Sequence, residues 1–349
     1  MGKFIRVVSE RARVVASEGL WLEDAALQQL AIASQLPGMR RAVGLPNLQA
    51  AHGYPAGAAF FSSGRFYPAL CGAGIGCGVS LWQTGLAISQ ARVDLLSQQL
   101  HQAGDLRAAP EADELARLPA LDAALPAELA ALAQRLAQAG LARSWLRTLG
   151  AVGAGTHLLE LQAAVQVDEP ALYEGAGLLA RQLQLVVRDG AQAVGQHVLE
   201  AHLAAHGHAG LAQGTPQAQA YLRQHDAVLA WARLHRKMIA LRVALRLRCE
   251  AAPVLDVHYN QLSADCIDGE GGWLHRRDAY PTDQGPVLLP GLDGGHSYLI
   301  RPLPVADGVS LQSLAHGGRK DGVLDSMEGA GLVRVMAKSR PVLSYAAAG

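Results

Sequence analysis

Residues 53–81, GYPAGAAFFSSGRFYPALCGAGIGCGVSL, crowd glycine, alanine and aromatic side chains around one cysteine, Cys77, in the run Gly76-Cys77-Gly78. Glycines on both sides let the backbone take positive φ and approach a ligand closely. The run demands a tight loop among strands, with Gly-Pro turns recurring up to about Leu86. A thiolate held in such a loop is a soft metal ligand. Three later segments, around His157, His258 and His316, have the look of parts of the same site.

The 349 residues, half of them hydrophobic, suffice for one large core or two smaller ones. Lysine plus arginine and aspartate plus glutamate both total 30. No global charge therefore draws the chain to nucleic acid, and any RNA contact uses a local patch. Cys71, Cys77, Cys249 and Cys266 have no CxxC or disulfide-like spacing, which points to a reduced, cytoplasmic setting. The start, MGKFIRVVSERARVV, carries charges among its apolar positions and does not read as a signal peptide. No stretch approaches the roughly 18 uncharged apolar residues of a membrane span, so a soluble protein without a membrane partner is expected.

Alternation near the start (Phe4, Ile5, Val7, Val8, then Val14, Val15) predicts a strand pair, and residues 23–35 an amphipathic helix. Residues 89–147, rich in Ala, Leu, Gln and Glu, read as two or three helices broken near Pro110, Pro119 and Pro126, with core packing behind their periodicity. Strand signals return at 157–167 and 184–187, and one long helix is predicted over 216–248. A β-rich part over 253–304 has turns at Asp268-Gly269 and Asp293-Gly294, and a last strand is expected over 333–345. No repeat or Ser/Pro-rich linker divides the chain. The reading is a single α+β domain over 1–349 with a helical insertion at 89–147.

His157 follows the glycine-rich turn 150–155 and opens an apolar strand, a good position for a ligand. His258 ends another apolar run, in Asp256-Val257-His258-Tyr259-Asn260. Taken singly, each also suits a hydrogen-bonded structural histidine. His316 sits in Leu314-Ala315-His316-Gly317-Gly318-Arg319-Lys320, which reads either as a phosphate cradle or as a surface loop with incidental charges. Arg276 and Arg277 form a pair able to clamp phosphate, or a solvated turn. Arg233, Arg236, Lys237 and Arg242 recur at helical spacing, which fits a basic face for an RNA backbone or a solvated helix face.

Together and in this order, GYPAGAAF, YPALCGAGIGCGVSLW, TLGAVGAGTHLLELQ, DVHYN, WLHRRDA, LLPGLDGGHSYLIRP and LAHGGRK resemble the RtcB family of GTP-dependent RNA ligases, and within it the branch encoded beside peptide release factor H. The likeness runs from about Leu45 to Tyr345 and omits much of the helical block. It implies an RtcB-like α+β fold with mixed and antiparallel sheets, and two Mn²⁺ ions beside a histidine nucleophile. In the family that histidine takes GMP from GTP and passes it to an RNA 3′-phosphate, and a 5′-hydroxyl then displaces GMP. By this resemblance His316 is the guanylylated histidine, and Cys77, His157 and His258 are metal ligands. Arg276, Arg277, Ser297, Tyr298 and Arg319 are its expected GTP contacts. The implied partners are broken RNA ends, GTP and a functional link to release factor H, and the implied role is RNA repair.

The chain departs from the family pattern at several of these places. Gly74 stands where the family has a metal-binding aspartate, and Arg188 where it has a histidine ligand. Tyr259 occupies the ligand place before Asn260, while His258 lies one residue earlier and so, in a strand, on the other face. Thr156 replaces an asparagine, residues 46–53 (PNLQAAHG) stand for a PDxHxGxG motif without its Asp and His, the His316 motif is a residue short, and an RKGA motif reads Arg276-Arg277-Asp278-Ala279. Unit charges about 4 Å apart at an effective dielectric of about 20 interact by roughly 4 kcal/mol, so an added Arg188 opposes dication binding strongly. Three readings follow: a ligase whose degraded site holds one or two ions, an impaired relative that binds RNA ends or nucleotide without ligating, or a metal-dependent phosphate hydrolase. In the second, Arg188 holds phosphate where the family holds a metal.

Overall fold

A computed structural model describes residues 5–102, 104–153, 157–291, 294–304, 310–315 and 323–345. The expected N-terminal pair is β1 (Ile5–Val7) against β2 (Ala12–Val15), followed by α1 (Asp24–Ala33), which turns Leu27, Leu30 and Ala33 inward. Next come β3 (Met39–Gln49), β4 (Ala56–Ser62), β5 (Arg65–Phe66) and the short α2 (Pro68–Cys71), after which the glycine loop opens into β6 (Gly78–Ala87). Block 89–147 contains α3 (Val93–Gln102), α4 (Ala112–Arg117) and α5 (Leu125–Gln138). It is followed by β7 (Leu158–Val167), α6 (Pro170–Gly175), β8 (Gln182–Asp189), α7 (Gln192–His206), β9 (Leu211–Ala212) and α8 (Pro216–Leu247). The last part holds β10 (Ala251–His258), β11 (Gln261–Ile267), β12 (Glu270–Arg277), β13 (Ala279–Pro281) and β14 (Val287–Leu289). It closes with β15 (Ser297–Pro302), β16 (Ser313–Ala315), α9 (Val323–Gly329) and β17 (Val333–Ser344).

Two sheets carry the α+β fold. One runs β1-β2-β3-β4-β12-β11 and is mixed, because β2 pairs with β3 in parallel. The other runs β10-β6-β8-β7-β17-β15-β14 and is antiparallel throughout. One buried cluster joins them, with Val43, Leu45 and Phe61 from the first sheet and Val79, Val186 and Ile300 from the second. Register fixes the site. Gly78 lies opposite His258 on β10 and opposite Asp189 on β8, while Leu158 lies opposite Arg188. Cys77, His157, Arg188 and Tyr259 therefore gather at one end of the second sheet. The Asp268-Gly269 turn joins β11 to β12 with both residues at positive φ, as a tight hairpin requires. Asp293 lies outside the described residues.

The long predicted helix is α8. Thr215 caps it by accepting the Ala218 amide at 3.2 Å, and Pro216 needs no donor in the first turn. Its arginines do not form the basic face that their spacing suggested. Arg233 is exposed, but Arg236 and Arg242 are buried, and Lys237 pairs with Asp122 at 2.6 Å and Glu128 at 2.7 Å. The reason is packing from several sides: strands cover one flank of α8 and block 89–147 another. Arg242 donates to the carbonyls of Leu106, Ala108 and Gly150, and Arg246 to those of Leu100 and Gly104. Glu114 pairs with both, at 3.0 and 3.1 Å. The two arginines thus answer backbone oxygens that the broken helices leave without helical partners.

The sequence reading contains no counterpart of α7. Its inward stripe is Val194, Gly195, Val198 and His202, so small and polar residues stand where large apolar ones would have marked a helix. Gly195 lets α7 press onto the glycine loop, since a Cβ there would run into the Ala73 carbonyl.

Candidate active site

A single buried guanidinium ties together the backbone around Cys77. Arg236 grips Asp256 through Nε (2.8 Å) and Nη2 (2.6 Å), and its Nη1 donates to the carbonyls of Gly76 (2.9 Å) and Asp189 (3.0 Å). Loop closure adds the Cys77 amide on the Gly74 carbonyl (2.8 Å) and the Tyr259 amide on the Cys77 carbonyl (2.9 Å). Gly76 has φ +80°, and a side chain there would meet Ala232 of α8. A Cβ at Gly190 would lie 2.6 Å from the Cys77 sulfur, so both glycines are needed for the loop to sit where it does.

Burial first, then the carboxylates of Asp278 and Asp189, push the Cys77 thiol up to about 12. At neutral pH it is a thiol. His157 donates Nδ1–H to Asp189 at 2.7 Å, which orients the ring so that Nε2 is the nitrogen a ligand would meet. Asp189 also accepts the amides of Gly153 (3.2 Å) and Gly190 (2.6 Å) and lies 3.5 Å from His235. Burial alone would raise its pKa, but the bonds from His157 and His235 outweigh it and hold Asp189 well below the usual carboxylate range.

The departures from the family pattern meet one another in space. Arg188 Nε bonds the Tyr259 hydroxyl at 3.3 Å, so the side chains at two expected ligand places form a pair. Arg188 Nη1 is buried with no hydrogen-bond partner among the described residues. Asp278, at φ +51°, donates its backbone amide to Asn260 Oδ1 at 2.5 Å, and its carboxylate acts on both Cys77 and Arg188. At Gly74 a Cβ would run into the Asn260 side-chain nitrogen and stand 3.3 Å from the Cys77 sulfur. The missing aspartate's place is filled by this asparagine.

His258 faces α8, as the one-residue shift predicts. Its Nδ1 lies 3.0 Å from the Gly76 carbonyl and 3.2 Å from Arg236, and its buried Nε2 has no partner among the described residues. Burial, then Arg236, press its pKa down to about 3. Arg276 is buried and donates to Ser313, Ser263 and the Gln312 carbonyl, whereas Arg277 donates to the Tyr54 carbonyl at 2.9 Å. The two arginines bind different partners rather than presenting one clamp. Ser297 accepts from Gln162 (2.8 Å) and the Gly291 amide (3.0 Å), and Tyr298 lies under Lys338. His316 and Arg319 lie outside the described residues, as does Thr156.

Paired Mn²⁺ ions favour several oxygen and imidazole donors each. Among the described residues no three His, Cys, Asp or Glu side chains converge on one position. Among the described residues Cys77 and His157 offer two donors with the cation of Arg188 acting on Cys77, and this described set does not fit a two-ion centre. Sequence reasoning gave no role to Asp189 and Asp256 and placed Arg236 on an outer helix face, whereas these three orient the site. It also missed Glu160, whose buried carboxylate receives Gln162 and Ser344 at 2.8 Å each. An acidic residue beside a glycine at a strand end, and an arginine inside an otherwise apolar helix, were the available signals.

A model of the tRNA-splicing ligase RtcB family matches residues 29–322. The chain is 42% identical to RNA-splicing ligase RtcB2 of Escherichia coli over 323 residues, 92% of this chain and 79% of that protein. It is also 55% identical over 69 residues to the short protein YkfJ of Escherichia coli K12, a match that covers 20% of this chain and 78% of YkfJ. The match spans both sheets and the loop of Cys77, and the chain belongs to the RtcB ligase family.

Proposed function

We propose that this chain engages broken RNA ends on the RtcB ligase scaffold, in RNA repair, with a metal site degraded at Gly74, Arg188 and Tyr259. Its ligands are an RNA 3′-phosphate or 2′,3′-cyclic phosphate end and a 5′-hydroxyl end. The observation that supports this reading is the Arg188–Tyr259 pair, in which Arg188 Nη1 is buried with no hydrogen-bond partner among the described residues and whose charge acts on Cys77. A fixed guanidinium favours a phosphate there and disfavours a divalent ion. A cytoplasmic location and a functional link to release factor H belong to the same proposal.

A second reading is complete ligation through GMP on His316, with GTP as co-substrate and one or two Mn²⁺ ions. The orientation of His157 by Asp189, which holds the ring through Nδ1, favours it. In this reading Cys77, His157 and His258 are the proposed ligands, and Arg276, Arg277, Ser297, Tyr298 and Arg319 the proposed GTP contacts. Incubation with α-labelled GTP and Mn²⁺, followed by a denaturing gel, separates the two. Covalent label that His316→Ala abolishes selects ligation. No label, together with tighter binding of a 3′-phosphate than a 3′-hydroxyl oligonucleotide in EDTA, supports the first reading. Equal binding of the two ends refutes it.

A further inference from the structure

Behind the Cys77 loop, on the α8 side, lies a cleft of about 500 Å³ between α5 and α8. Leu132, Leu229 and Ala230 give it an aliphatic wall. His258 lies at its inner end and is 4% exposed. His258 Nδ1 lies between the Gly76 carbonyl and Arg236, and its buried Nε2 has no hydrogen-bond partner among the described residues. Gln261 lies beside it with an amide that both donates and accepts. Arg135 and Arg233, both exposed, also line it, together with Glu128 of α5 and Asp226 of α8. Arg233 is 3.5 Å from Asp256, and Lys237 is committed to Asp122 and Glu128.

We infer that this cleft binds one nucleoside monophosphate unit. The base lies on the aliphatic wall and hydrogen-bonds His258 Nε2 through its polar edge. The phosphate meets Arg135 and Arg233. A buried imidazole nitrogen without a partner is costly, and a planar ligand whose edge carries both donors and acceptors satisfies it while covering apolar surface. The helical block thereby supplies a wall of a second site, and His258 serves that site rather than the Cys77 side of the sheet. The source of the nucleotide, a strand or a free nucleotide, rests on the RNA-end reading.

Calorimetric titration of the full chain with AMP, GMP, CMP and UMP, and with single-stranded oligonucleotides ending in 3′-phosphate or 3′-hydroxyl, tests this. Saturable binding of at least one mononucleotide or of the strand is expected, with a shift of the His258 Nε2 resonance. Ala131→Trp, on the exposed side of α5, fills the cleft and abolishes that binding without lowering the melting temperature. Arg135→Gln with Arg233→Gln weakens it about tenfold, a loss of about 1.4 kcal/mol. The inference is overturned if neither mononucleotide nor strand saturates, if binding survives Ala131→Trp, or if the His258 resonance stays fixed at saturation. A strand that binds both variants with its 3′-phosphate preference intact overturns the cleft alone and leaves the RNA-end reading standing. Cleft binding with no such preference overturns that reading and keeps the cleft.

Discussion

Replacing Arg236 by methionine keeps the apolar stem and deletes the guanidinium. Four hydrogen bonds go with it, two of them charge-assisted bonds to Asp256. Removing one partner of a buried pair costs about 3–5 kcal/mol, because the other charge is left uncompensated. Here the lower end applies. The Asp256 side chain is 21% exposed, and Arg233 stays 3.5 Å away as a substitute cation. The expected loss is therefore about 3 kcal/mol, read as a lower midpoint in equilibrium urea unfolding followed by the fluorescence of Trp231 on the same helix. Asp256→Leu added to Arg236→Met removes the stranded charge, so the double variant should recover part of the loss, giving a coupling of about 1–3 kcal/mol. A single-variant loss under about 1 kcal/mol, or a double variant no more stable than the single, would refute the view that this arginine holds the loop.

Gly190→Ala forces a methyl against the Cys77 sulfur and backbone, and about 2–3 kcal/mol of destabilisation is expected by urea unfolding, with faster thiol labelling of Cys77. Glu114 has its pKa lowered: burial raises it, but the bonds from Arg242 and Arg246 prevail. A depressed carboxylate contributes stability above its unfolded pKa of about 4.3 that is lost as pH falls through the folded value, so Glu114→Gln should flatten the acid limb of stability measured below about pH 4.5. Gly74→Asp alone collides with Asn260 and should bind no Mn²⁺ by calorimetry. Combined with Arg188→His and Tyr259→His, it should gain measurable Mn²⁺ binding, and failure of the triple variant would mean that more than these three positions separates this site from a metal centre.

Strand alternation and the Ala-Leu blocks made most of the architecture legible, because one face or stripe of each element is apolar enough to announce its period. The helix α7 escaped because Gly195 and His202 carry its buried face. At the site, local spacing located Cys77, His157 and the shifted His258, and the strand rule foresaw that His258 faces away from Tyr259. Partnership across the chain was not legible. Nothing near Arg188 in sequence announces Tyr259, 71 residues on, and nothing near Arg236 announces Asp189. Both readings of the α8 cations, a basic RNA face or a solvated face, missed the burial of Arg236 and Arg242 for the same reason: spacing along a helix reveals which residues align, but not which neighbours cover them.

The grip of α8 on the helical block has a temporal side. Arg246 answers the Leu100 carbonyl across 146 residues, and Arg242 answers Leu106 across 136. At about 5–20 residues per second, a ribosome needs on the order of ten seconds or more to deliver these arginines after the carbonyls have emerged. During that interval the block has no dock for its inner face, and its frayed helix ends face solvent or a chaperone. Completion of α8 is then the step that converts the first half of the chain from a collapsed intermediate into a closed structure, so a chain stopped before Pro216 is expected to aggregate rather than persist as a smaller domain.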